Sequence, residues 1–169
     1  MTLCLLAGLT VPSAAGPPST QPVASLRVAR ERALAGDYPE AIRLYEKLSA
    51  NTERVLPAAV ARSDVDAQIG DYQKGTERLL ALEAKGRLSA DWHAALASLY
   101  AAIGNYKEAL DHNKQAIKIN DRHLRARWQL GQLYEMLGKT KEAVEVYRVF
   151  EDIMTGADLP TGAEDLTYL

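Results

Sequence analysis

From Val23 onward, small and apolar positions recur with a period of 34 residues. Ala29, Ser63, Ala97 and Gly131 each stand seven residues before a glycine, and Ala41, Gly75, Ala109 and Ala143 stand five residues after it. The glycines are Gly36, Gly70, Gly104 and Gly138, and they open near copies of one phrase: GDYPEA, GDYQKG, GNYKEA and GKTKEA. Loops in ordinary domains vary in length, so a spacing held three times without insertion marks an internal repeat. Each unit predicts two helices joined at the glycine, which ends the first helix because it takes the left-handed conformation at little cost. All eight flanking residues are small, so the paired helices are expected to approach closely at that level.

The residue after each glycine is expected to start the second helix. Asp37 with Glu40, and Asn105 with Glu108, have capping-box spacing. Pro39 falls in the first turn, where a missing amide proton does no harm. Lys139 and Thr140 depart from this pattern, which predicts that the last helix is the weakest capped.

The pattern resembles that of the tetratricopeptide repeat family over about residues 22–155, in units of about 22–55, 56–89, 90–123 and 124–155. Leu130-Gly131 followed by Tyr134, then Ala143 followed by Tyr147, carries the signature most fully; Leu96, Ala97, Tyr100 and Ala109 come next. The signature tryptophan slot holds Ser25, Ala59, His93 and Arg127 instead, with Trp92 and Trp128 one residue to either side. The usual proline late in the unit is absent, at Glu53, Arg87, Asp121 and Thr155. In the second unit Arg62 and Asp66 occupy slots held elsewhere by Leu96 and Tyr100 or by Leu130 and Tyr134. Two readings stay open there: an i,i+4 ion pair, or a local shift of register. The resemblance implies an all-α, right-handed α-solenoid of about four antiparallel helix pairs.

Composition agrees with helices, with abundant Ala and Leu and four of the seven prolines before Val23. With 20 basic and 22 acidic residues the chain makes no electrostatic case for a nucleic-acid partner. The basic stretch Lys114, Lys118, Arg122, Arg125 and Arg127 could suggest phosphate contact, but the better reading is that Lys114 and Lys118 lie in the last turns of a helix, where cations complement the macrodipole. Tyr38, Tyr72 and Tyr106, just after the glycines, read as packing between helices.

Residues 1–21 differ from the rest. An apolar run from Leu3 to Leu9 is followed by VPSAAGPPSTQP, the form of a signal peptide's end, with Ser13 and Ala15 before a cut ahead of Gly16. A basic n-region is missing, so the expectation of export competes with a disordered leader on a cytoplasmic protein. The run is far short of the ~20 residues that span a bilayer, so no spanning helix is expected. Cys4 precedes most of the run, which argues against lipidation, and it has no base partner that would make it a nucleophile.

No catalytic or metal constellation stands out, and neither an activity nor a cofactor is expected. His93, His112 and His123 are spread over different helices without the HExxH spacing, and read as structural or surface residues.

In the family, the first helices of successive units line a concave channel that holds a peptide or a partner helix. The resemblance places the residues thirteen, ten, six, three and two before each glycine on that face. In the third unit these are Asp91, Ala94, Ser98, Ala101 and Ala102, mostly small. In the fourth they are Arg125, Trp128, Gln132, Glu135 and Met136. Trp128 is the candidate hot spot, with packing against the neighbouring repeat as the alternative; Trp92, on the opposite side, reads as core. The clamp by which some family members hold chaperone tails needs lysine and asparagine ten and six before the glycine. Here those slots hold Leu26, Val60, Ala94 and Trp128, then Arg30, Asp64, Ser98 and Gln132, so a chaperone tail is disfavoured.

A non-catalytic module that binds a protein or peptide is therefore expected. The alternative is the N-terminal scaffolding arm of an enzyme whose catalytic domain follows Leu169. That alternative rests on the segment 156–169, where Thr161 and Glu164 have capping-box spacing at the start of a further helix, and on no cap being visible over Val144, Tyr147 and Phe150. Self-association through that open end is the competing explanation.

Overall fold

The computed structural model describes residues 25–83 and 88–156. The leader with Cys4 and its candidate cleavage site, and the Thr161 to Glu164 spacing, lie outside the described residues. Within them the chain is all helix: α1 (Leu26–Leu34), α2 (Tyr38–Ser49), α3 (Val55–Gln68), α4 (Tyr72–Glu83), α5 (Ala90–Ala102), α6 (Tyr106–Ile119), α7 (Leu124–Met136) and α8 (Thr140–Thr155).

Each first helix ends at a ladder glycine with φ between 70° and 85°. Two residues of the turn close it by backbone bonds of the Schellman type: Gly36 N donates to Ala33 O and Asp37 N to Arg32 O, with equivalents at Asp71, Asn105 and Lys139. A Cβ at these glycines would meet nothing within 4 Å, so the residue is needed for its φ and not for space.

This closure overturns the expected capping boxes. Asp37, Asn105 and Lys139 share φ near −80° to −90° and ψ near 61° to 65°, and none makes a side-chain cap bond. A helix N-cap needs extended backbone to aim its oxygen at the N2 or N3 amide, and the tight turn denies it. Glu40 instead pairs with Arg43, and Asp37 with Arg32 at 3.5 Å. The start of α8 is therefore no more weakly capped than those of α2 and α6. Side-chain caps do occur at first helices: Ser25 accepts from Val28 N, Ser89 from Trp92 N, and His123 Nδ1 from Ala126 N.

The helices form two layers. Odd-numbered helices pack on each other in succession, α1 on α3, α3 on α5 and α5 on α7, whereas the even-numbered ones touch only odd-numbered neighbours. Closer spacing in the odd layer curves the stack toward it, so that layer is the concave side of an all-α solenoid.

The small-residue level behaves as the sequence predicts. Ala29, Ala41, Ala97 and Ala109 are fully buried, and Ser63 and Ala143 nearly so. At Gly131 a Cβ would collide with the Tyr147 ring, and at Gly75 it would lie 3.1 Å from Asp66 Cβ. Leu44, Tyr45 and Leu48 anchor the first core cluster, and Leu79, Trp92, Leu96 and Leu99 the second. Trp92 is core as expected, and its Nε1 donates to Leu79 O at 2.8 Å, tying α5 to α4. Tyr38 and Tyr72 pack half-buried against these clusters.

Repeat two keeps its register, with Gly70, Ser63 and Gly75 in their slots, and Arg62 pairs with the buried Asp66 at 3.2 Å. Arg78 of α4 also binds Asp66, and Arg62 reaches Glu46 of α2 at 2.9 Å. A buried carboxylate is tolerable only with such partners.

Candidate functional site

The small side chains of repeat three leave a hollow in the concave layer. A recess of about 410 Å³ opens there, walled by Asp64, Ala67 and Gln68 of α3, by Ser98 and Ala101 of α5, and by Trp128, Gln132 and Met136 of α7. Three consecutive repeats thus contribute to one site. The predicted groove residues Ser98, Ala101, Arg125, Trp128, Gln132 and Met136 come together here.

The others do not. Ala94 is fully buried, because α6 and α7 close over it, so it forms the core between repeats and not the groove wall. Ala102 is exposed but lies outside the recess. Glu135 turns away, and its carboxylate accepts from Tyr147 Oη at 2.8 Å; burial, with this bond, pushes the Tyr147 hydroxyl up to about 12. Asp91 lines a second, smaller recess of about 260 Å³ with Arg30, Leu56 and Pro57. There it meets His123 Nε2 at 2.9 Å, which holds its carboxyl below the usual range. Because His123 Nδ1 accepts the Ala126 amide, its ring proton sits on Nε2 and is donated to Asp91.

Asp64 and Arg125 stand between the two recesses and line both. The guanidinium donates twice to the carboxylate, at 2.5 and 3.2 Å. Helices α3 and α7 do not otherwise pack on each other, so this pair spans the hollow over α5 as a strap. Sequence reading placed Arg125 on the groove and Asp64 in a clamp slot without joining them, since nothing local links residues 61 positions apart.

Trp128 is half-buried: one side lines the recess, while the ring packs at 5.5 Å from Tyr147 and 5.7 Å from Phe150, both on α8 of its own repeat and not on the neighbouring one. Val144, beyond this aromatic cluster, is 58% exposed.

Beneath the recess runs a polar chain. Gln129 satisfies its neighbours in one amide orientation, in which Oε1 accepts from Arg125 Nε at 3.1 Å and Nε2 donates to Ala94 O at 3.1 Å and to Asn113 Oδ1 at 3.0 Å. Asn113, from α6, lines the recess floor and is fully buried; its Nδ2 meets no acceptor among the described residues. Neither residue was singled out by sequence, because each is an ordinary polar position until the helices are stacked.

Two of the three histidines meet on the far side of repeat three. His93 and His112 face each other Nδ1 to Nδ1 at 2.9 Å, with Trp92 at their edge and Tyr100 stacked on His112. The available signal was hairpin symmetry: one lies eleven residues before Gly104 and the other eight after it. No group of three or more His, Cys, Asp or Glu side chains suited to a metal occurs among the described residues, and none of the described helices is long and apolar enough to cross a membrane.

Family models for the tetratricopeptide repeat match residues 60–123 and 125–152, more than half of the chain. Among solved structures, MamA is similar with 24% identity over 75% of this chain and 74% of that one, at a TM-score of 0.60. TTC0263, a thermophilic TPR protein of Thermus thermophilus, shares 20% identity over 74% of this chain and 70% of its own, at 0.66. YrrB, a TPR protein described as having an unusual peptide-binding site, shares 17% identity over 75% and 66%, at 0.55. At these identities the likeness is one of fold. No curated protein matches the chain in sequence.

Proposed function

The chain belongs to the tetratricopeptide repeat family, and we propose that it is a non-catalytic interaction module that holds a peptide segment of a partner protein in its concave layer. The observation that carries this is the recess built by α3, α5 and α7 together, with Trp128 and the 62%-exposed Met136 at one wall. Exposed large apolar side chains beside a cavity are the usual composition of a binding site, and Trp with Arg the usual anchors. The described peptide-binding site of YrrB, a protein of the same fold, supports the reading.

A displayed random peptide library selected on the intact protein tests it. Trp128→Ala is the wrong probe, because that ring also packs on Tyr147 and Phe150. Ala101→Trp, at a half-buried wall position, fills the recess instead, and Lys114→Trp, on the exposed outer layer, is its control. Selected peptides are expected to lose binding to the first variant and keep it with the second, with thermal midpoints near wild type. Binding that survives Ala101→Trp would place the interaction elsewhere. Export remains a separate proposal, tested by sequencing the N-terminus of the mature chain.

A further inference from the structure

We infer that the recess selects an uncharged amide carbonyl of the bound segment and seats it on Asn113; this rests on the concave-layer reading above. The polarity of the floor is fixed step by step. Arg125 Nε must donate, so Gln129 presents Oε1 to it; Gln129 Nε2 then donates to Ala94 O and Asn113 Oδ1, and Asn113, which lines the recess, is left with Nδ2 as its remaining polar group. That group is a donor, fully buried, and unpaired among the described residues. A buried donor without an acceptor is costly, and native structures supply a partner for nearly all of them.

Charge decides which acceptor fits. The charged residues that line this recess are Asp64 and Arg125, and they neutralise each other as a bidentate pair. A carboxylate entering here would lose its water, face Asp64 and find its natural cation already engaged. A cationic group would place more N–H donors against Nδ2. A neutral carbonyl satisfies the donor without adding charge, and the Trp128 and Met136 wall takes the carbon atoms attached to it. Peptides offer such a carbonyl from the main chain or from an Asn or Gln side chain.

Three small probes separate these cases by following the Asn113 side-chain NH2 signal of the isotope-labelled full chain. N-methylacetamide stands for the main chain, propionamide for a side-chain amide, and sodium propionate is the charged counterpart of propionamide. A saturable shift of the Asn113 signal with either amide, and none with propionate, is the expected result; the larger of the two amide responses identifies the source. Asn113→Leu should abolish the saturable response at Trp128 and weaken any peptide selected on the wild-type recess by about tenfold or more, the loss of one hydrogen bond.

The inference is overturned if propionate shifts the signal as much as propionamide, if no amide shifts it, or if Asn113 Nδ2 is held by a long-lived water that the amides do not displace. Should Asn113→Leu fail to fold, the wild-type titration alone decides. Amide binding that moves Trp128 and Gln132 but leaves Asn113 still would retain the groove and remove only this inference. Peptide selection insensitive to Ala101→Trp would remove the groove reading itself.

Discussion

Asp64 and Arg125 lie 61 positions apart, yet their side chains form a two-point ion pair that joins repeats two and four over the small residues of repeat three. Their side chains are 25% and 20% exposed, so solvent screens the attraction in part. A double-mutant cycle with Asp64→Ala and Arg125→Ala should give a coupling of about 1 kcal/mol in urea unfolding. At ~1 M salt, where the screening length is near 3 Å, the coupling should shrink markedly. No coupling at low salt would mean that the strap does not persist in solution.

Gly131 and Gly75 occupy facing slots of the same pattern but should respond differently to alanine. Tyr147 lies where a Cβ of residue 131 would go, so Gly131→Ala must displace a ring that also packs on Trp128 and bonds Glu135. The expected cost is about 1–3 kcal/mol, from overpacking. At Gly75 the neighbours need yield only a few tenths of an ångström. There the helix-propensity gain of about 0.5–1 kcal/mol offsets the crowding, so Gly75→Ala should be closer to neutral. Chemical denaturation of both variants compares them directly, and equal effects would refute the close-contact argument.

The buried Arg62 and Asp66 pair of repeat two should be dispensable as a pair and costly to break. Arg62→Leu alone leaves Asp66, 1% exposed, with Arg78 as its remaining partner, and should destabilise by about 2–3 kcal/mol. The double variant Arg62→Leu with Asp66→Tyr installs the pair found at Leu96 and Tyr100. It should return to within about 1 kcal/mol of wild type, since apolar replacement of a buried ion pair is often neutral. A double variant as unstable as the sum of its single substitutions would show that the pair sets the register of repeat two.

Acid should loosen repeat three. Burial lowers the folded-state pKa of both His93 and His112; His112 further lowers that of His93, while Glu83 opposes the shift in both and Asp111 and Glu108 oppose it in His112. The unfolded state, with imidazoles near pKa 6.5, therefore binds more protons than the folded state as pH falls below about 7. The stability contributed by the neutral pair is complete above that value and is lost as pH drops through it toward the lower folded values. Thermal midpoints measured from about pH 7.5 to about pH 5 should fall, and should fall less steeply in His112→Leu. Equal slopes would assign the acid sensitivity to other groups.

The repeat itself was legible in the sequence because it rests on local rules. A left-handed glycine at the end of each first helix, small residues seven before and five after it, and Pro39 in a first turn are all decided within one helical hairpin. Even there a local rule misled: Asp37 and Asn105 have capping spacing, but the glycine turn sets their ψ near 63° to 65°, outside the extended range a cap requires. The Arg62 and Asp66 pair, four residues apart, was visible as one of two options, and its third member, Arg78, was not.

The candidate site was legible to the extent that it follows from helical faces. Ser98, Trp128, Gln132 and Met136 share the recess because residues at those intervals share one side of a helix. What only the tertiary structure decided is how neighbouring repeats meet: the burial of Ala94, the Asp64 to Arg125 strap, the link from Gln129 to Asn113, and the His93 to His112 contact. Those contacts depend on the angle and spacing at which one helix pair stacks on or folds against another, and these are set by the summed packing of many side chains. A 34-residue period fixes which faces look inward; the stacking determines which side chains on those faces come within hydrogen-bonding distance.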